Sequence, residues 1–295
     1  MTARIRIGTS GWVYAPWRGT FYPDDLPQRR ELEHLSGRLA TTEINGSFYS
    51  MQRPEHYRRW AASTPEDFVF AVKGGRFITH MKKLRDVHAP LANFFASGVL
   101  ALGERLGPLL WQLPPSLGFD AERLADFFAR LPRTTAAAAE LAEDHDARLE
   151  GRALTEVEVD GPLRHAVEVR HPSFRTREFV SLLRAHDIGL VVADTAGRWP
   201  QLTDATSDFV YLRLHGDQEL YASGYTGSAL DSWAELIRAW QRGDSPATEH
   251  ALDEPVPAAS GRDVYVYFDN DIKAHAPFDA MALAERCGSV PSADD

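Results

Sequence analysis

Short apolar segments rich in Val, Ile, Leu and aromatic residues recur along the chain, with helical patterns between them. This alternation is typical of βα units around a parallel sheet. Eight segments have the composition of strands: 5–9, 41–45, 68–73, 108–113, 165–170, 188–194, 209–215 and 264–269. Helices are predicted at 54–62, 90–105, 120–130, 177–186, 231–242 and 279–286, with Asp120 and Asp231 as capping residues. Eight repeats in 295 residues predict a single (β/α)₈ TIM-type barrel, for which about 250 residues are typical.

An open doubly wound sheet is the competing architecture. Such a sheet usually carries a glycine-rich phosphate fingerprint after its first strand, and the GTSGW that follows residue 7 is not GxGxxG. Two irregular stretches interrupt the repeat, of which 134–161 has room for a helix and 243–261 is typical of a surface loop. We therefore expect one domain over 1–288 and a frayed tail over 289–295.

Composition restricts the compartment and the partners. The chain has one cysteine, so no intrachain disulfide forms, and it has no apolar run of the length that a signal peptide or a membrane span needs. These features predict a cytoplasmic protein without a membrane partner. The formal net charge of −10 disfavours long, nonspecific nucleic-acid binding. The sequence does not predict an oligomeric state.

The predicted strands turn polar at their ends. Because strands of a parallel barrel are covered on both faces, they are expected to be apolar throughout. The exceptions are Glu43, Asn45, Lys73, Gln112, Glu168, Arg170, Asp194, Arg213, His215, Asp269 and Asn270. If these side chains face inward, they converge at the carboxyl end of the barrel, where barrel enzymes place their active sites. The alternatives are a structural network that pairs Glu168 with Arg213 and Glu43 with Lys73, and a capping role for Asp194.

The loops after the first three strands add two further features. Aromatic residues, chiefly Trp12 and Tyr49, are candidates for stacking on a ligand, although such residues more often pack in a core. A basic window, 73–85, contains three of the four lysines of the chain together with Arg76 and Arg85. It is either a lip that binds phosphate or a solvated surface.

Several segments in this order resemble the YecE-like family, known as domain of unknown function 72, whose members are TIM barrels. The matching segments are IRIGTSGWVYAPWRGTFYP, TTEINGSFYSMQRPEHYRRWAASTPEDFVFAVKGGRFITHMKKL, LGPLLWQLPPSLGFD, VEVRHPSF, DFVYLRLHGDQELYASGYTGSALDSWA and VYVYFDNDIKAHAP. The resemblance implies a barrel and a pocket, but no reaction. Its candidate site residues are Thr9, Ser10, Gly11, Trp12, Glu43, Asn45, Tyr49, Lys73, Gln112, Glu168, Arg170, His171, Asp194, Arg213, His215, Gly216, Tyr225 and Asn270. Where the family pattern has two asparagines, this chain has Asp269 and Asn270, which favours Asn270 over Asp269 as a site residue.

The candidate residues supply acids, bases and cations, which indicates an enzyme of hydrolase, lyase or isomerase type acting on a small anionic substrate. Lys73, Arg170 and Arg213 are expected to hold a phosphate or carboxylate. Glu43 or Glu168 would take a proton and His215 would return it, because imidazole exchanges protons near neutral pH. The sequence predicts no cofactor. A Mg²⁺ or Mn²⁺ site is a less favoured variant, which would use Glu43, Glu168, Asp194 and His215.

Two other functions remain open from the sequence. One is glycoside hydrolysis by Glu43 and Glu168 with Trp12 as a platform for the sugar, which the many cations disfavour. The other is a noncatalytic protein that binds a phosphate-bearing ligand or the end of a nucleic acid, supported by the basic window and the loop aromatics.

Overall fold

The computed structural model describes residues 3–291 and contains a closed barrel of eight strands. Each strand pairs in parallel with the next in the chain, and the last pairs with the first. The strands are β1 (Ile5–Thr9), β2 (Thr41–Ile44), β3 (Val69–Lys73), β4 (Leu106–Gln112), β5 (His165–Glu168), β6 (Gly189–Asp194), β7 (Phe209–Leu214) and β8 (Asp263–Phe268). The predicted TIM-type barrel is confirmed, and an open sheet is excluded because β8 and β1 are hydrogen-bonded.

Helices surround the barrel. The α-helices of the described residues are α1 (Glu31–Ser36), α2 (Gly46–Tyr49), α3 (Pro54–Ala62), α4 (His88–Ala96), α5 (Ala121–Ala129), α6 (Thr135–Glu143), α7 (Arg177–Ala185), α8 (Gly227–Arg242) and α9 (His275–Cys287). Short helices of other types lie at Ala15–Trp17, Gln28–Arg30, Phe77–Met81, Val99–Arg105, Ala147–Leu149 and Pro172–Phe174. The helix predicted inside 134–161 is present as α6.

Three helix predictions need correction, since the helix at 90–105 is broken and both α8 and α9 begin four residues before the predicted starts at 231 and 279. The single helix predicted at 90–105 is broken, because Gly98 has a left-handed φ of 109° that separates α4 from a 3₁₀ segment. A side chain at Gly98 would meet Pro54, since a Cβ there would lie 2.5 Å from the proline Cα. Asp120 caps α5 as predicted, but α8 begins earlier than predicted and Thr226 caps it instead of Asp231.

The connection between β6 and β7 contains no helix, and the segment 243–261 packs against it. Asp204 accepts hydrogen bonds from the backbone of Leu252 and Asp253, and Arg184 of α7 pairs with Asp253 at 2.6 Å. The loop prediction for this segment is confirmed, since it has no helix or strand. Of the predicted tail, residues 292–295 lie outside the described residues. No helix between residues 3 and 291 combines the length and the apolarity that crossing a bilayer requires.

Alternation along the strands divides the core in two, because successive side chains of a strand point to opposite faces. Residues such as Ile7, Val72 and Leu212 face outward and pack under the helices. The inward side chains form a second cluster inside the barrel: Val69, Ala71, Leu110, Ala166, Val191, Ala193, Phe209, Tyr211, Tyr265 and Tyr267. This largely apolar layer fills the barrel below its carboxyl end.

Candidate active site

The inward faces of seven of the eight strands, all but β6, continue into a polar layer at the carboxyl end of the barrel. Lys73 follows Ala71 by two residues, Arg213 follows Tyr211, and Asp269 follows Tyr267, so each continues the inward alternation. The same spacing makes Gln112 and Glu168 successors of Leu110 and Ala166. With Ser10 and Glu43, the inward polar layer consists of Ser10, Glu43, Lys73, Gln112, Glu168, Arg213 and Asp269, of which all but Asp269 are buried.

Arg213 lies at the centre of this layer and is 1% exposed. Its Nη1 donates to Glu168 Oε2 at 2.7 Å, and its Nε donates to Glu43 Oε2 at 3.1 Å. Its Nη2 donates to Glu43 Oε1 at 3.0 Å, Asp269 Oδ2 at 2.9 Å and Ser10 Oγ at 2.9 Å. Because β7 is not a sheet neighbour of β2 or β5, these bonds cross the barrel interior.

Glu43 is held at both oxygens. Tyr211 donates its hydroxyl to Oε2 at 2.6 Å, and Ser10 donates to Oε1 at 2.7 Å. Asn45 then donates to Ser10 Oγ at 2.9 Å. With the two bonds from Arg213, these donors fix the Glu43 carboxylate in one orientation.

Glu168 is shared between two guanidinium groups. Arg170 donates from Nε to Glu168 Oε1 at 2.8 Å and from Nη2 to Gln112 Oε1 at 3.1 Å. The guanidinium carbon of Arg170 also lies 3.8 Å from the centroid of the Trp199 ring. Burial by itself raises the pKa of the Glu168 carboxyl, but Arg170 and Arg213 outweigh it and hold that pKa well below its usual range.

Lys73 differs from the other charged groups of the layer. It is 8% exposed, and its Nζ lies 4.6 Å from the centroid of the Phe48 ring. Across residues 3–291 no carboxylate oxygen lies within 4.0 Å of this Nζ. Burial and the nearby Arg213 lower the pKa of Lys73 to about 8, although Glu43 and Glu168 act in the opposite direction.

Asp269 of the inward layer lies beside a second aspartate, Asp271. Burial raises the pKa of Asp269, but Arg213 and His215 outweigh it, so the pKa of this carboxyl is lowered. The pKa of its neighbour Asp271 is raised well above the ordinary value, because that carboxyl is buried and lies close to the negative charge of Asp269. Of the two carboxyls, Asp269 therefore favours the charged form and Asp271 the neutral form. The fully buried His215 places Nδ1 3.0 Å from Asp269 Oδ2.

Four of the expected site residues do not join the inward layer: Thr9, Asp194, Tyr225 and Asn270. Thr9 donates to the carbonyl of Gly11 at 2.8 Å. Asp194 accepts from the Tyr225 hydroxyl at 3.0 Å, and burial raises the pKa of Asp194. Asn270 donates to Asp279 of α9 at 2.8 Å and to the carbonyl of residue 223 at 3.0 Å. These bonds attach the loops and helices to the barrel.

The two expected stacking residues lie in different environments. Trp12 is partly buried and packs edge-on against Trp60 and Phe70, at centroid distances of 5.4 and 6.4 Å. Tyr49 is 72% exposed and meets Phe48 edge-on at 5.0 Å. Trp12 therefore belongs to the packing under the loops, whereas the ring of Tyr49 remains accessible.

The basic window does not act as one unit. Lys73 faces inward at the end of β3, whereas Lys82 belongs to the following loop and lies 4.0 Å from Asp86. Arg76 and Arg85 are exposed. Only Lys73 of this window belongs to the inward layer.

Sequence reasoning misjudged one residue of the layer and missed two residues that contact the candidate active site. It favoured Asn270 over Asp269, but Asp269 contacts Arg213 and His215, whereas Asn270 supports a loop. It also omitted Tyr211 and Trp199. Alternation was a usable signal for Asp269 and Tyr211, since both follow inward residues by two positions, but Trp199 lies in a loop where alternation gives no information.

The structure also changes two expected roles. Arg213 is bonded to three carboxylates of its own layer, which compensate its charge, so it positions the layer and is not a free cation for a ligand. The four residues of the expected metal variant do not assemble, because Arg213 binds Glu43 and Glu168 while Asp194 pairs with Tyr225. Among the described residues, no group of three or more His, Cys, Asp or Glu side chains has an arrangement that holds a metal ion.

A cavity of about 450 Å³ lies at the opposite, amino-terminal end of the barrel. Its lining comes from residues that precede β5, β6 and β7, including Arg133, Arg164, Asp187 and Asp208. Arg164 pairs there with Asp208 at 2.7 Å and with Asp263 at 2.6 Å. This cavity is separate from the inward polar layer.

An eight-stranded parallel barrel surrounded by helices defines a TIM-barrel protein. Its buried layer of paired charges lies at the carboxyl end of the barrel, where active sites of this fold usually lie, and is the candidate active site. The chain belongs to the family described as "Protein of unknown function DUF72", whose model matches residues 6–294. The resemblance noted in the sequence is thereby confirmed.

Relatives and solved structures agree with this membership. The chain is 27% identical over 171 residues to UPF0759 protein YecE of Escherichia coli K12, covering 58% of this chain and 50% of that protein. It is 25% identical over 126 residues to UPF0759 protein YunF of Bacillus subtilis 168, covering 41% and 44%. The chain thus spans about half the length of the curated relatives it matches.

Solved DUF72 family proteins share the fold. The protein from Thermotoga maritima MSB8 has a TM-score of 0.72 at 23% identity, covering 96% of this chain and 98% of that chain. A DUF72 family protein from Enterococcus faecalis V583 has a TM-score of 0.67 at 14% identity, covering 96% and 95%. These similarities establish the fold.

Proposed function

We propose that the carboxyl end of the barrel is the active site of an enzyme that acts on a small substrate carrying a phosphate or a carboxylate. The observation that carries this proposal is the contrast between the carboxylates and the cations of the site. Glu43, Glu168 and Asp269 are all bonded to Arg213, whereas Lys73 has no carboxylate partner within the described part of the chain.

Arg170 supplies the second available cation. Its Nε and Nη2 are fixed by Glu168 and Gln112, and its ring contact with Trp199 restrains the guanidinium plane. Its Nη1 donates to no group of residues 3–291, so it can donate to a ligand oxygen. A guanidinium held in this way is suited to a phosphate or a carboxylate, because its donors match the oxyanion geometry and little rotamer entropy remains to be lost.

The electrostatics favour chemistry at Lys73 rather than at a glutamate. A glutamate bonded to two guanidinium groups has a pKa too low for a good general base, which applies to Glu168. A lysine with a pKa of about 8 exchanges its proton close to neutral pH. Glycoside hydrolysis is also disfavoured, because its two carboxyl groups would have to be Glu43 and Glu168, and Arg213 is bonded to both.

Anion binding tests the proposal. Thermal unfolding is followed in phosphate and in chloride at equal ionic strength, so that general salt effects cancel. Saturating phosphate is expected to raise the Tm by about 2–4 °C through mass action. The variants Lys73→Met and Arg170→Gln are expected to bind phosphate roughly 10-fold to 100-fold more weakly, which corresponds to one charge-assisted hydrogen bond.

Matched controls are Lys273→Met and Arg58→Gln, which change exposed residues of the same types outside the inward layer. Both are expected to keep the full response to phosphate. A wild-type protein whose Tm does not respond to phosphate or to a small carboxylate such as malonate, or a response that survives both site variants, contradicts the proposal.

A further inference from the structure

Lys73 is the last residue of β3, and its side chain belongs to the inward layer and contacts Phe48 of α2. Ser47 of α2 donates to the Lys73 carbonyl at 2.6 Å, which fixes the helix and Phe48 against the end of the strand. An ammonium group in such a buried place is costly unless a counter-ion or a ligand compensates for it. Ser47 contacts the backbone carbonyl of Lys73 and not its ammonium group, so it does not provide that compensation.

The other lysines of the chain show how unusual this position is. Lys82 and Lys83 are partly exposed loop residues, and Lys273 is exposed after β8. Burial lowers the pKa of Lys73 to about 8, so an appreciable fraction of its amine is neutral and nucleophilic at pH 7.5.

We propose that Lys73 is a nucleophile that forms an imine with the carbonyl group of a small anionic aldehyde or ketone, while Arg170 holds the phosphate or carboxylate of that substrate. The inference rests on the proposed function, because it uses the same site and names the substrate class. It assigns to Lys73 a covalent role and to Arg170 a binding role.

The step balances without any added reagent. The Nζ lone pair attacks the carbonyl carbon, the C–N bond forms, and the carbonyl oxygen takes a proton. Loss of water then forms the C=N bond, so that Lys–NH₃⁺ and O=CR₂ give Lys–NH⁺=CR₂ and H₂O. The positive charge stays on Nζ, so the surrounding Glu43, Glu168 and Asp269 stabilise the iminium as they stabilise the ammonium. The iminium withdraws electrons from the adjacent carbon, which favours removal of a proton or cleavage of a carbon–carbon bond there.

The geometry of Arg170 determines which carbonyl compounds are suitable. Lys73 ends β3, and Arg170 follows β5 by two residues, with Gln112 of β4 between them and bonded to Arg170. Neighbouring strands lie about 4.8 Å apart, and β4 lies between β3 and β5. The long side chains of Lys73 and Arg170 extend from these two strand ends, so a compact substrate with its anionic group a few bonds from its carbonyl is suited to contact both. A carbonyl compound without a charge lacks the contact with Arg170.

Reductive trapping on the full chain tests the inference. The protein is incubated at pH 7.5 with glyoxylate, an aldehyde that carries a carboxylate, and with the uncharged glycolaldehyde, each in the presence of cyanoborohydride. Peptide mapping then measures the modified fraction of all four lysines in the wild-type protein, so the readout does not depend on a variant that folds. With glyoxylate, we expect Lys73 to be modified at least about tenfold faster than Lys273.

The variant Arg170→Gln separates binding from amine reactivity. In that variant the preference of Lys73 for glyoxylate over glycolaldehyde is expected to disappear, whereas Arg58→Gln keeps it. Modification that follows exposure, with Lys73 the least modified lysine, overturns the imine. If phosphate still raises the Tm in that case, the anion site stands and only the covalent step is wrong. If phosphate has no effect either, both proposals are wrong.

Discussion

Arg213 Nη1 and Glu168 Oε2 lie 2.7 Å apart inside the barrel, and both side chains are 1% exposed. The same guanidinium binds Glu43 from the other side at 3.0 Å. A charge pair buried to this degree is worth little by itself, but loss of one partner leaves an uncompensated charge. The burial of Glu43, Glu168 and Asp269 in the inward layer therefore depends on Arg213.

Replacement of Arg213 by Met is expected to destabilise the protein by about 3–5 kcal/mol, because three carboxylates lose their shared counter-ion. Urea unfolding measures the change. Adding Glu43→Gln to Arg213→Met is expected to restore part of the loss, since one of the stranded charges is removed. A loss no greater than that of Arg58→Met on the surface of α3 contradicts the central position of Arg213.

Lys73→Met is expected to stabilise the protein at pH 7 by up to about 3 kcal/mol, the equivalent of its lowered pKa. The unfolded chain binds a proton on Lys73 up to about pH 10.4, whereas the folded chain releases it near pH 8. The stability contributed by this residue therefore rises with pH between about 8 and 10.4. Urea unfolding across this range should show the rise in the wild-type protein relative to the variant. If the variant is destabilised at pH 7, Lys73 is a structural ion-pair partner instead.

The two aspartates after β8 are expected to respond oppositely to replacement by asparagine. Burial and Asp269 raise the pKa of Asp271 and so favour its neutral form, and Asp271→Asn should therefore leave the free energy of unfolding at pH 7 unchanged or higher. Asp269→Asn removes the charge that Arg213 and His215 contact and should cost about 1.5–3 kcal/mol. Equal losses in the two variants would show that the proton is not on Asp271.

His165 at the start of β5 is expected to cause sensitivity to acid. It accepts a hydrogen bond from Trp111 at 3.1 Å, and its Nε2 lies 2.7 Å from the carbonyl of Pro132. Burial lowers the pKa of His165 to about 4, so the unfolded chain takes up a proton first as the pH falls. The stability from this residue is therefore lost between about pH 6.5 and 4, up to about 3 kcal/mol.

The variant His165→Gln retains an acceptor and a donor, so it should lose less stability than the wild-type protein over that range. The exposed His88 of α4 provides the matched control, because His88→Gln changes a histidine outside the barrel core. A wild-type pH profile that His165→Gln does not alter contradicts this role.

Much of the fold could be predicted from the sequence because apolar segments of strand length recur eight times. The polar strand ends also predicted the inward layer, and the pair of Glu168 with Arg213 was among the expected contacts. The partner of Glu43 was not predicted correctly, since Arg213 and not Lys73 binds it. Which cation reaches which carboxylate depends on barrel closure and on side-chain length, and local sequence patterns contain neither.

Strand alternation explains the other errors. Thr9, Asp194 and Asn270 have the parity of outward residues such as Ile7, Val192 and Phe268, so they were drawn into the candidate site only by their position near strand ends. Ser10 and Asp269 have the inward parity. Strict use of the two-residue period would have favoured Ser10 over Thr9 and Asp269 over Asn270, because a shift of one residue moves a side chain to the other face.

A crystal structure determined with phosphate is the sharpest test of the anion site at Lys73 and Arg170. We expect an anion at the carboxyl end of the barrel, with its oxygens within hydrogen-bond distance of Lys73 Nζ and the free Nη1 of Arg170. Phosphate bound only in the amino-terminal cavity beside Arg133 and Arg164 would rule out this site, as would a carboxyl end without phosphate at a concentration that stabilises the protein.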